Sequence, residues 1–339
     1  MKLPLEFTDE EHLEDVMSTP SPMLIKSLAQ LEGDIIILGV AGKMGPTLAR
    51  MAKRAAPHKR VIGVARFSNP HLINSLSSQG IECIQADLLS AQALTALPDV
   101  PNVVFMAGRK FGSQGSEWLT WAMNAHVPAL IAQRYKNSRI VAFSTACVYP
   151  FVDVRGPGAP ESLAPTPPGE YANSCVARER MFEHFSHEHQ TSGCLLRLSY
   201  AIDMRYGVLH DVARTIWQGQ PLSVAMGYAN IIWQGDANDL ALRALSTCTT
   251  PTSAINLSGP PISIRDVAIR LAARMGKTVH LTDTEAHSAW LVDCHKANAL
   301  WGPPSVALDT LLDWTAAWVM QGHKSLDKPT HFEVRDGHY

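Results

Sequence analysis

The sequence predicts an α/β protein with a doubly wound parallel sheet and a smaller C-terminal α/β lobe. Short apolar runs alternate with amphipathic segments in the first half of the chain, and this alternation weakens after residue 197. The strand-like runs are 35–38, 61–65, 81–84, 103–106 and 140–144. Because parallel strands need long crossover connections, usually helices, the alternation indicates a parallel sheet.

The same pattern divides the chain into four segments. We expect a helix-prone N-terminal arm at 1–32, the sheet domain at 33–198, a second lobe interleaved with it at 199–325, and a polar tail at 326–339. Ligands of open α/β sheets bind at the carboxyl ends of the strands, so the second lobe should cover a binding cleft. The proline-rich loop 157–168 should reach over that cleft. The tail could close the cleft, contact another subunit or stay disordered.

Composition excludes several classes of protein. With 339 residues, 46% of them hydrophobic, the chain can bury a large core. Its 29 basic and 31 acidic residues give a net charge of -2, and no basic run is interleaved with aromatic residues, which argues against nucleic acid as a partner. The acidic start and the absence of a long apolar stretch predict a cytoplasmic protein without membrane contact. The 6 cysteines form no C-x-x-C pair, so we expect reduced thiols and no metal.

A glycine turn follows the first strand. Gly39, Gly42 and Gly45 allow a tight turn, close approach of a pyrophosphate to the helix N-terminus, and close packing of helix on strand. Their spacing is G-x-x-G-x-x-G rather than the common G-x-G-x-x-G. The turn, with Lys43 and Met44 inside it, predicts a dinucleotide cofactor.

The residue after the second strand bears on which dinucleotide is bound. An NAD protein often has an acidic residue there to hold the ribose 2′-hydroxyl, but this chain has Arg66, which suits a 2′-phosphate. Lys43 is expected to add a second positive charge nearby, so NADP is predicted, with NAD as the alternative. After the third strand, Asp87, followed by Leu88, could accept from the adenine amino group or cap the next helix.

Together these segments resemble the extended short-chain dehydrogenase/reductases, the superfamily of NAD-dependent epimerases and dehydratases. The likeness covers about 34–319 and includes ordered motifs beyond the glycine turn. These are Val-Val-Phe-Met-Ala107-Gly108, Asn124, Phe-Ser-Thr145-Ala-Cys-Val-Tyr149, Gly-Glu-Tyr171-Ala-Asn-Ser-Cys175 and Leu-Leu-Arg-Leu-Ser-Tyr200. The resemblance implies a Rossmann-type fold, a carbohydrate-like substrate and dimerisation through helices of the sheet. It also implies that Ala107, Gly108, Tyr171 and Tyr200 contact the cofactor.

The resemblance also implies roles in catalysis. Tyr171 falls on the acid/base tyrosine, Thr145 on the residue that hydrogen-bonds the same substrate oxygen, and Asn124 on a residue that supports the local helix geometry. Ser144 is the alternative to Thr145. A phenol can exchange a proton with a substrate hydroxyl if its pKa, about 10 when unperturbed, is brought toward neutrality.

Cys175 departs from the family pattern, in which a lysine stands four residues after the tyrosine, on the same helical face. That lysine lowers the pKa of the tyrosine and binds the nicotinamide ribose, and a thiol does neither. One hypothesis is that another cation reaches the site: Lys110 or Arg109, with Arg205 as a third candidate. Replacing Cys175 by lysine should then change activity modestly, whereas removing Lys110 or Arg109 should abolish it.

Two functions follow from these alternatives. The first is an NAD(P)-dependent oxidoreductase or epimerase acting on a sugar, sugar acid or nucleotide sugar by hydride transfer. The second is a non-redox NAD(P)-binding sensor or regulatory protein. Turnover of the nicotinamide with some sugar substrate separates the two.

Overall fold

A computed structural model describes residues 3–110 and 115–335. The helices are α1 (Glu10–Met17), α2 (Pro22–Gln30), α3 (Gly45–Ala55), α4 (Pro70–Ser78), α5 (Ala91–Thr95), α6 (Glu117–Trp121), α7 (Val127–Arg134), α8 (Glu170–His189), α9 (Val208–Trp217), α10 (Gln234–Arg243), α11 (Ile264–Met275), α12 (His295–Trp301) and α13 (Leu308–Met320). A π-helical turn (Ala122–His126) joins α6 to α7. Within the described ranges, no helix is both long and apolar enough to cross a bilayer.

The strands fall into one large sheet and several short pairs. They are β1 (Ile35–Leu38), β2 (Val61–Ala65), β3 (Glu82–Gln85), β4 (Asn102–Phe105), β5 (Arg139–Thr145), β6 (Val152–Asp153), β7 (Gly193–Leu198), β8 (Ala201–Ile202), β9 (Leu222–Ser223), β10 (Tyr228–Asn230), β11 (Ile232–Trp233), β12 (Ser253–Leu257), β13 (Pro261–Ser263), β14 (Leu281–Thr282) and β15 (Ser288–Ala289).

The large sheet confirms the predicted fold class. In the part of the chain that is described it has seven strands in the order β12-β7-β5-β4-β1-β2-β3, and every neighbouring pair is parallel. Strand β1 pairs with β2 on one side and with β4 on the other, so the strand order reverses there. This reversal opens a crevice at the carboxyl ends of β1 and β4, which is where open α/β sheets bind ligands.

Helices cover both faces of the sheet. Leu48 of α3 and Leu240 of α10 belong to the apolar cluster on one face, and Ile131 of α7 and Phe182 of α8 belong to the cluster on the other. Strands β1, β2 and β4 are buried along their whole length, as expected for apolar strands covered on both sides. The carboxyl edge of the sheet is therefore the place where polar side chains can gather around a ligand.

The second lobe has a core of its own, built from α9, α11 and α13. The N-terminal arm completes this core: the ring centroid of Phe7 lies 4.8 Å from that of the buried Trp314. Strand β12, which follows the first elements of this lobe, pairs with β7 at the edge of the large sheet. The two lobes are thus joined by several chain crossings, which hold them on either side of one cleft.

Candidate active site

Two adjoining cavities lie along the carboxyl edge of the sheet. We call the larger, about 490 Å³, the inner cavity, and the smaller, about 380 Å³, the outer cavity. They share Gly39, Gly42, Met106 and Gly108, which follow β1 and β4. Because they meet at the point where the strand order reverses, they form one elongated cleft of the size that ligand sites usually have.

The glycine turn forms the floor where the cavities meet. Gly39 has φ +93°, and a Cβ on it would lie 2.7 Å from the backbone nitrogen of Ala107. A Cβ on Gly45 would collide with the carbonyl of Val40. Helix α3 begins at Gly45 without a side-chain cap, so backbone N–H groups and the positive end of the helix dipole lie beside the cleft. This turn fits a pyrophosphate.

The outer cavity holds an exposed cation and an exposed carboxylate, Arg66 after β2 and Asp87 after β3. Among the described residues that line the outer cavity, these two are the ones with charged side chains. One carboxylate oxygen of Asp87 accepts from the backbone N–H of Leu89 (3.0 Å), whereas the cap of α5 is Ser90. The alternative that Asp87 caps this helix is therefore wrong, because Asp87 lies three positions too early.

Lys43 does not lie near Arg66. Its Nζ donates to the carbonyl of Ala201 (2.8 Å) and lies 3.8 Å from the centroid of the Tyr206 ring. The expectation that Lys43 adds charge beside Arg66 is wrong, because the carbonyl and the aromatic face hold the ammonium on the second-lobe side of the inner cavity. Met44 and Tyr200 line the same cavity.

The inner cavity brings together Thr145 at the end of β5 and Tyr171 in the first turn of α8. Thr145 Oγ1 accepts from the backbone N–H of Cys147 (3.1 Å). The hydroxyl of Ser144, the alternative to Thr145, donates to the buried carboxylate of Glu179 (2.5 Å). Ser144 is thus engaged in the core behind the cavity, and Thr145 stays the candidate partner of the substrate oxygen.

A thiol takes the position next to the Tyr171 hydroxyl. Cys175 is fully buried one helical turn further along α8, and its side chain is hydrogen-bonded to Tyr171. Burial raises the pKa of Tyr171 well above its usual value, and the thiols of Cys175 and Cys147 act in the same direction. Burial also raises the pKa of the Cys175 thiol. At neutral pH both groups are therefore uncharged.

Lys110 is the predicted cation that reaches this cavity. Its side chain lines the inner cavity, and Nζ donates to the carbonyl of Thr330 (3.4 Å). It interacts electrostatically with Cys147 and Cys175, the two thiols that act on Tyr171. Burial lowers the pKa of Lys110.

The other two candidate cations lie elsewhere. The guanidinium of Arg109 donates to the hydroxyl of Ser116 (2.9 Å), and its residue does not line either cavity. Arg205 is paired with Asp203 (3.2 Å) and with Glu14 of the N-terminal arm (3.0 Å). Arg109 is a candidate because it follows β4, and Arg205 is the third candidate, but hydroxyl and carboxylate partners engage their guanidinium groups outside the two cavities.

Arg178 is a buried cation that sequence reasoning missed. It donates to the carbonyl of Phe143 and to Asn124 Oδ1, both at 2.8 Å, and its charge acts to lower the pKa of Tyr171. Asn124 lies outside the two cavities; it accepts from the backbone N–H of Arg109 and donates to the Arg109 carbonyl, both at 2.8 Å. Arg178 stands seven residues after Tyr171, so helical periodicity could have revealed it.

The tail forms one wall of the inner cavity. Thr330 is fully buried: its N–H (2.8 Å) and hydroxyl (2.6 Å) donate to Asp211, while its carbonyl accepts from Lys110. Lys328 lines the cavity, and Arg335 donates to the carbonyl of Ser288 (2.7 Å). Residues 326–335 therefore close over the cleft, the first of the three alternatives for the tail, and 336–339 lie outside the described residues.

The reversed strand order, the glycine turn and the cleft define a Rossmann-type protein. The model of the NAD dependent epimerase/dehydratase family matches residues 35–224, more than half of the 339-residue chain. The chain therefore belongs to this family, which confirms the resemblance. No curated protein matches the sequence significantly.

Solved structures of two epimerases and a dehydratase have a similar fold to this chain. UDP-glucuronic acid 4-epimerase from Bacillus cereus, in complex with NAD, is 20% identical, with 86% of this chain and 100% of that chain covered and a TM-score of 0.71. dTDP-glucose 4,6-dehydratase from Bacillus anthracis, also with NAD, is 14% identical (85% and 96% covered, TM-score 0.73). UDP-glucose 4-epimerase from Thermus thermophilus with NAD is 17% identical (84% and 98%, TM-score 0.69).

Proposed function

We propose that this protein is an NAD(P)-dependent oxidoreductase or epimerase acting on a hydroxyl or ketone of a sugar, sugar acid or nucleotide sugar. The observation that carries the proposal is that Tyr171, Thr145 and Lys110 line one cavity, and that this cavity opens onto the glycine turn. The similar structures were solved with NAD, and two of these proteins are epimerases, which supports the same class of chemistry.

The residues of the cleft fit a dinucleotide. Gly39, Gly42 and Gly45 would hold the pyrophosphate, with Gly108 opposite them and Arg66 beside the 2′-phosphate of NADP. Asp87, Leu88 and Ala107 would surround the adenosine, and Tyr200 the other half of the cofactor. The nicotinamide, when bound, supplies the acceptor or donor of a hydride. We favour NADP because the ionised side chain that follows β2 in the outer cavity is a cation.

Tyr171 transfers the proton, and Thr145 orients the substrate oxygen that receives it. In the direction of reduction, the neutral Tyr171 phenol donates a proton to the substrate oxygen, which Thr145 orients by a hydrogen bond. Lys110 and Arg178 stabilise the phenolate left behind, since a nearby cation favours the charged form. In the direction of oxidation the phenolate must form first, so its small fraction at neutral pH limits the rate.

The alternative is a sensor that binds the cofactor without turnover. Cys175 favours it, because the thiol next to Tyr171 helps to raise the pKa of the phenol instead of lowering it. The position of Lys110 in the same cavity favours the enzyme.

The test incubates the protein with NADP or NAD and a panel of sugars, sugar acids and nucleotide sugars. It follows nicotinamide absorbance for net oxidation or reduction, and chromatography of the products for epimerisation, which returns the hydride to the substrate and leaves the absorbance unchanged. We expect turnover with some of them, and Tyr171→Phe should lower kcat by about 10²–10⁴-fold while cofactor affinity stays the same. Tyr135→Phe is the matched control, because Tyr135 is buried far from the cleft and bonds only weakly to the carbonyl of Pro98 (3.4 Å). Tight cofactor binding without turnover of any compound would identify the sensor.

A further inference from the structure

A third cavity lies on the other side of the tail. We call it the second-lobe cavity; its volume is about 460 Å³, and it lies between α9 and the tail. Its walls include Asp211 and Arg214 of α9 and Pro329 and His331 of the tail. Among the described residues, Lys328 is the one that lines both this cavity and the inner cavity. The tail therefore runs along the boundary between the two spaces.

Thr330 lies in this boundary and is bonded to both sides of it. The residue is fully buried. Its N–H (2.8 Å) and hydroxyl (2.6 Å) donate to Asp211, which lines the second-lobe cavity. Its carbonyl accepts from Lys110 (3.4 Å), which lines the inner cavity. Thr330 thus stands between one residue of each cavity, and its backbone and side chain separate the two.

The tail is anchored along its length. Near its start, Asp327 pairs with Arg214 of α9 (2.5 Å). Further along, Phe332 is buried in the core of the second lobe. At the end of the described segment, Arg335 donates to the carbonyl of Ser288 (2.7 Å). Moving the tail would break these bonds and expose an aromatic ring to water, so the tail is a built-in wall of the inner cavity.

This wall limits what the inner cavity can hold. The cavity has about 490 Å³, and in the proposed function it receives the nicotinamide half of the cofactor together with the substrate. A site for one drug-sized ligand usually has about 300–1,000 Å³. Because the cofactor takes the end at the glycine turn, a substrate that meets Tyr171 has to place its remaining atoms toward the second lobe, where the tail stands.

We propose that the tail restricts the substrate to a single sugar unit without an attached nucleotide. This inference rests on the proposed function and narrows its substrate class, which includes nucleotide sugars. A nucleoside diphosphate on the sugar would have to cross the boundary at Thr330 to reach the second-lobe cavity, and would break the bonds of Thr330 to Asp211. A single sugar ring stays on the inner side of the tail.

Saturation-transfer NMR tests the size limit, because it detects weak binding and shows which part of a ligand contacts the protein. The full chain is loaded with an excess of the cofactor that it binds more tightly, NADP or NAD. The probes are matched pairs: D-glucose with UDP-D-glucose, D-galactose with UDP-D-galactose, and D-glucuronate with UDP-D-glucuronate. We expect signals from the ring protons of free sugars and none from the uridine protons of their partners. Tighter binding of the nucleotide sugar in any pair, or binding of no free sugar, would overturn the inference.

Truncation tests whether the tail sets the limit. A chain that ends at Asp327 lacks the wall at Thr330, and we expect it to bind the UDP-sugars roughly tenfold or more tightly than the full chain does, with unchanged cofactor affinity. The matched control ends at Arg335, keeps the tail as far as it is described, and should exclude UDP-sugars as the full chain does.

A point variant covers the case in which the shorter chain does not fold. Thr330→Gly removes the hydroxyl bond to Asp211 and gives the backbone more freedom at the boundary, so it should shift the preference in the same direction by a smaller factor. If the truncated chain or, where that chain does not fold, Thr330→Gly binds the cofactor and still excludes UDP-sugars, the tail does not set the limit and the inference is wrong.

Different results refute the proposed function and the size limit. Binding of free sugars without turnover of any compound would refute the enzyme and leave the size limit standing. Turnover of nucleotide sugars by the full chain, followed by chromatography of the products, would support the enzyme and refute the size limit.

Discussion

The two ends of the cleft are built in opposite ways. At the outer end, the exposed side chains are Arg66, the first residue after β2, and Asp87, the second residue after β3. At the inner end, Lys43 and Lys110 are partly buried, and burial lowers the pKa of both. Water therefore screens the positive charge of Arg66 at the outer end, whereas the positive charges of Lys43 and Lys110 at the inner end lie in a medium of lower dielectric constant.

This difference separates recognition from chemistry. An exposed cation can favour the binding of one of two cofactors that differ by one phosphate. Screening by salt and water limits its electrostatic effect on a reacting group. A buried cation interacts strongly with its neighbours and can shift their pKa values. We expect substitutions at the inner end to change rates, and substitutions at the outer end to change affinity alone.

The largest effect in this comparison is expected for Lys110→Met. Loss of the cation should raise the pKa of Tyr171 further, and the smaller phenolate fraction should lower the rate of oxidation at pH 8 by about 10- to 1,000-fold. Because the oxidation rate rises with the phenolate fraction, the alkaline limb of the pH profile should move to higher pH. An unchanged profile in this variant would show that Lys110 does not act on Tyr171.

Arg109→Met is the matched control for that variant. Arg109 precedes Lys110 in the chain, but its guanidinium bonds to Ser116 instead of lining the cavity. We therefore restrict the expected loss of activity to Lys110 and predict that the pH profile of Arg109→Met stays close to that of the unmodified protein.

A smaller effect is expected for Arg66→Ala at the outer end. The variant should bind NADP roughly 10- to 100-fold more weakly, because one charged hydrogen bond to the 2′-phosphate is lost, and NAD binding should not change. Arg60→Ala, an exposed arginine at the other end of β2 that pairs with Glu82 (2.9 Å), serves as the control. A fluorescence titration measures the affinity for each cofactor. Equal losses of NADP and NAD affinity would show that Arg66 does not select between them.

The sequence predicts the residues of the outer end more completely than those of the inner end, for a physical reason. Gly39 and Arg66 each follow a strand directly, Asp87 is the second residue after one, and a parallel sheet brings these strand ends together whatever the side chains are. Lys328 and Tyr206 reach the inner cavity through the tail and the second lobe, whose contacts no local pattern specifies.

Side-chain direction was likewise beyond the sequence. The prediction that Lys43 belongs to the glycine turn is correct. The direction of its side chain is set by contacts of the ammonium with the carbonyl of Ala201 and the ring of Tyr206, which lie far along the chain. Helical periodicity correctly joined Tyr171 to Cys175, and one further step along the same face would have reached Arg178.

The smallest effect is expected for Cys175→Lys, the change that restores the family pattern. Arg178 acts on Tyr171 electrostatically and Lys110 lines the same cavity, so a further cation should lower the pKa of the phenol only slightly. The alkaline limb of the oxidation profile should move slightly to lower pH, with Cys175→Ala as the control for loss of the thiol alone. A shift of two units or more, with a large gain in rate, would mean that the inner cavity lacks an effective cation, and would favour the sensor over the enzyme.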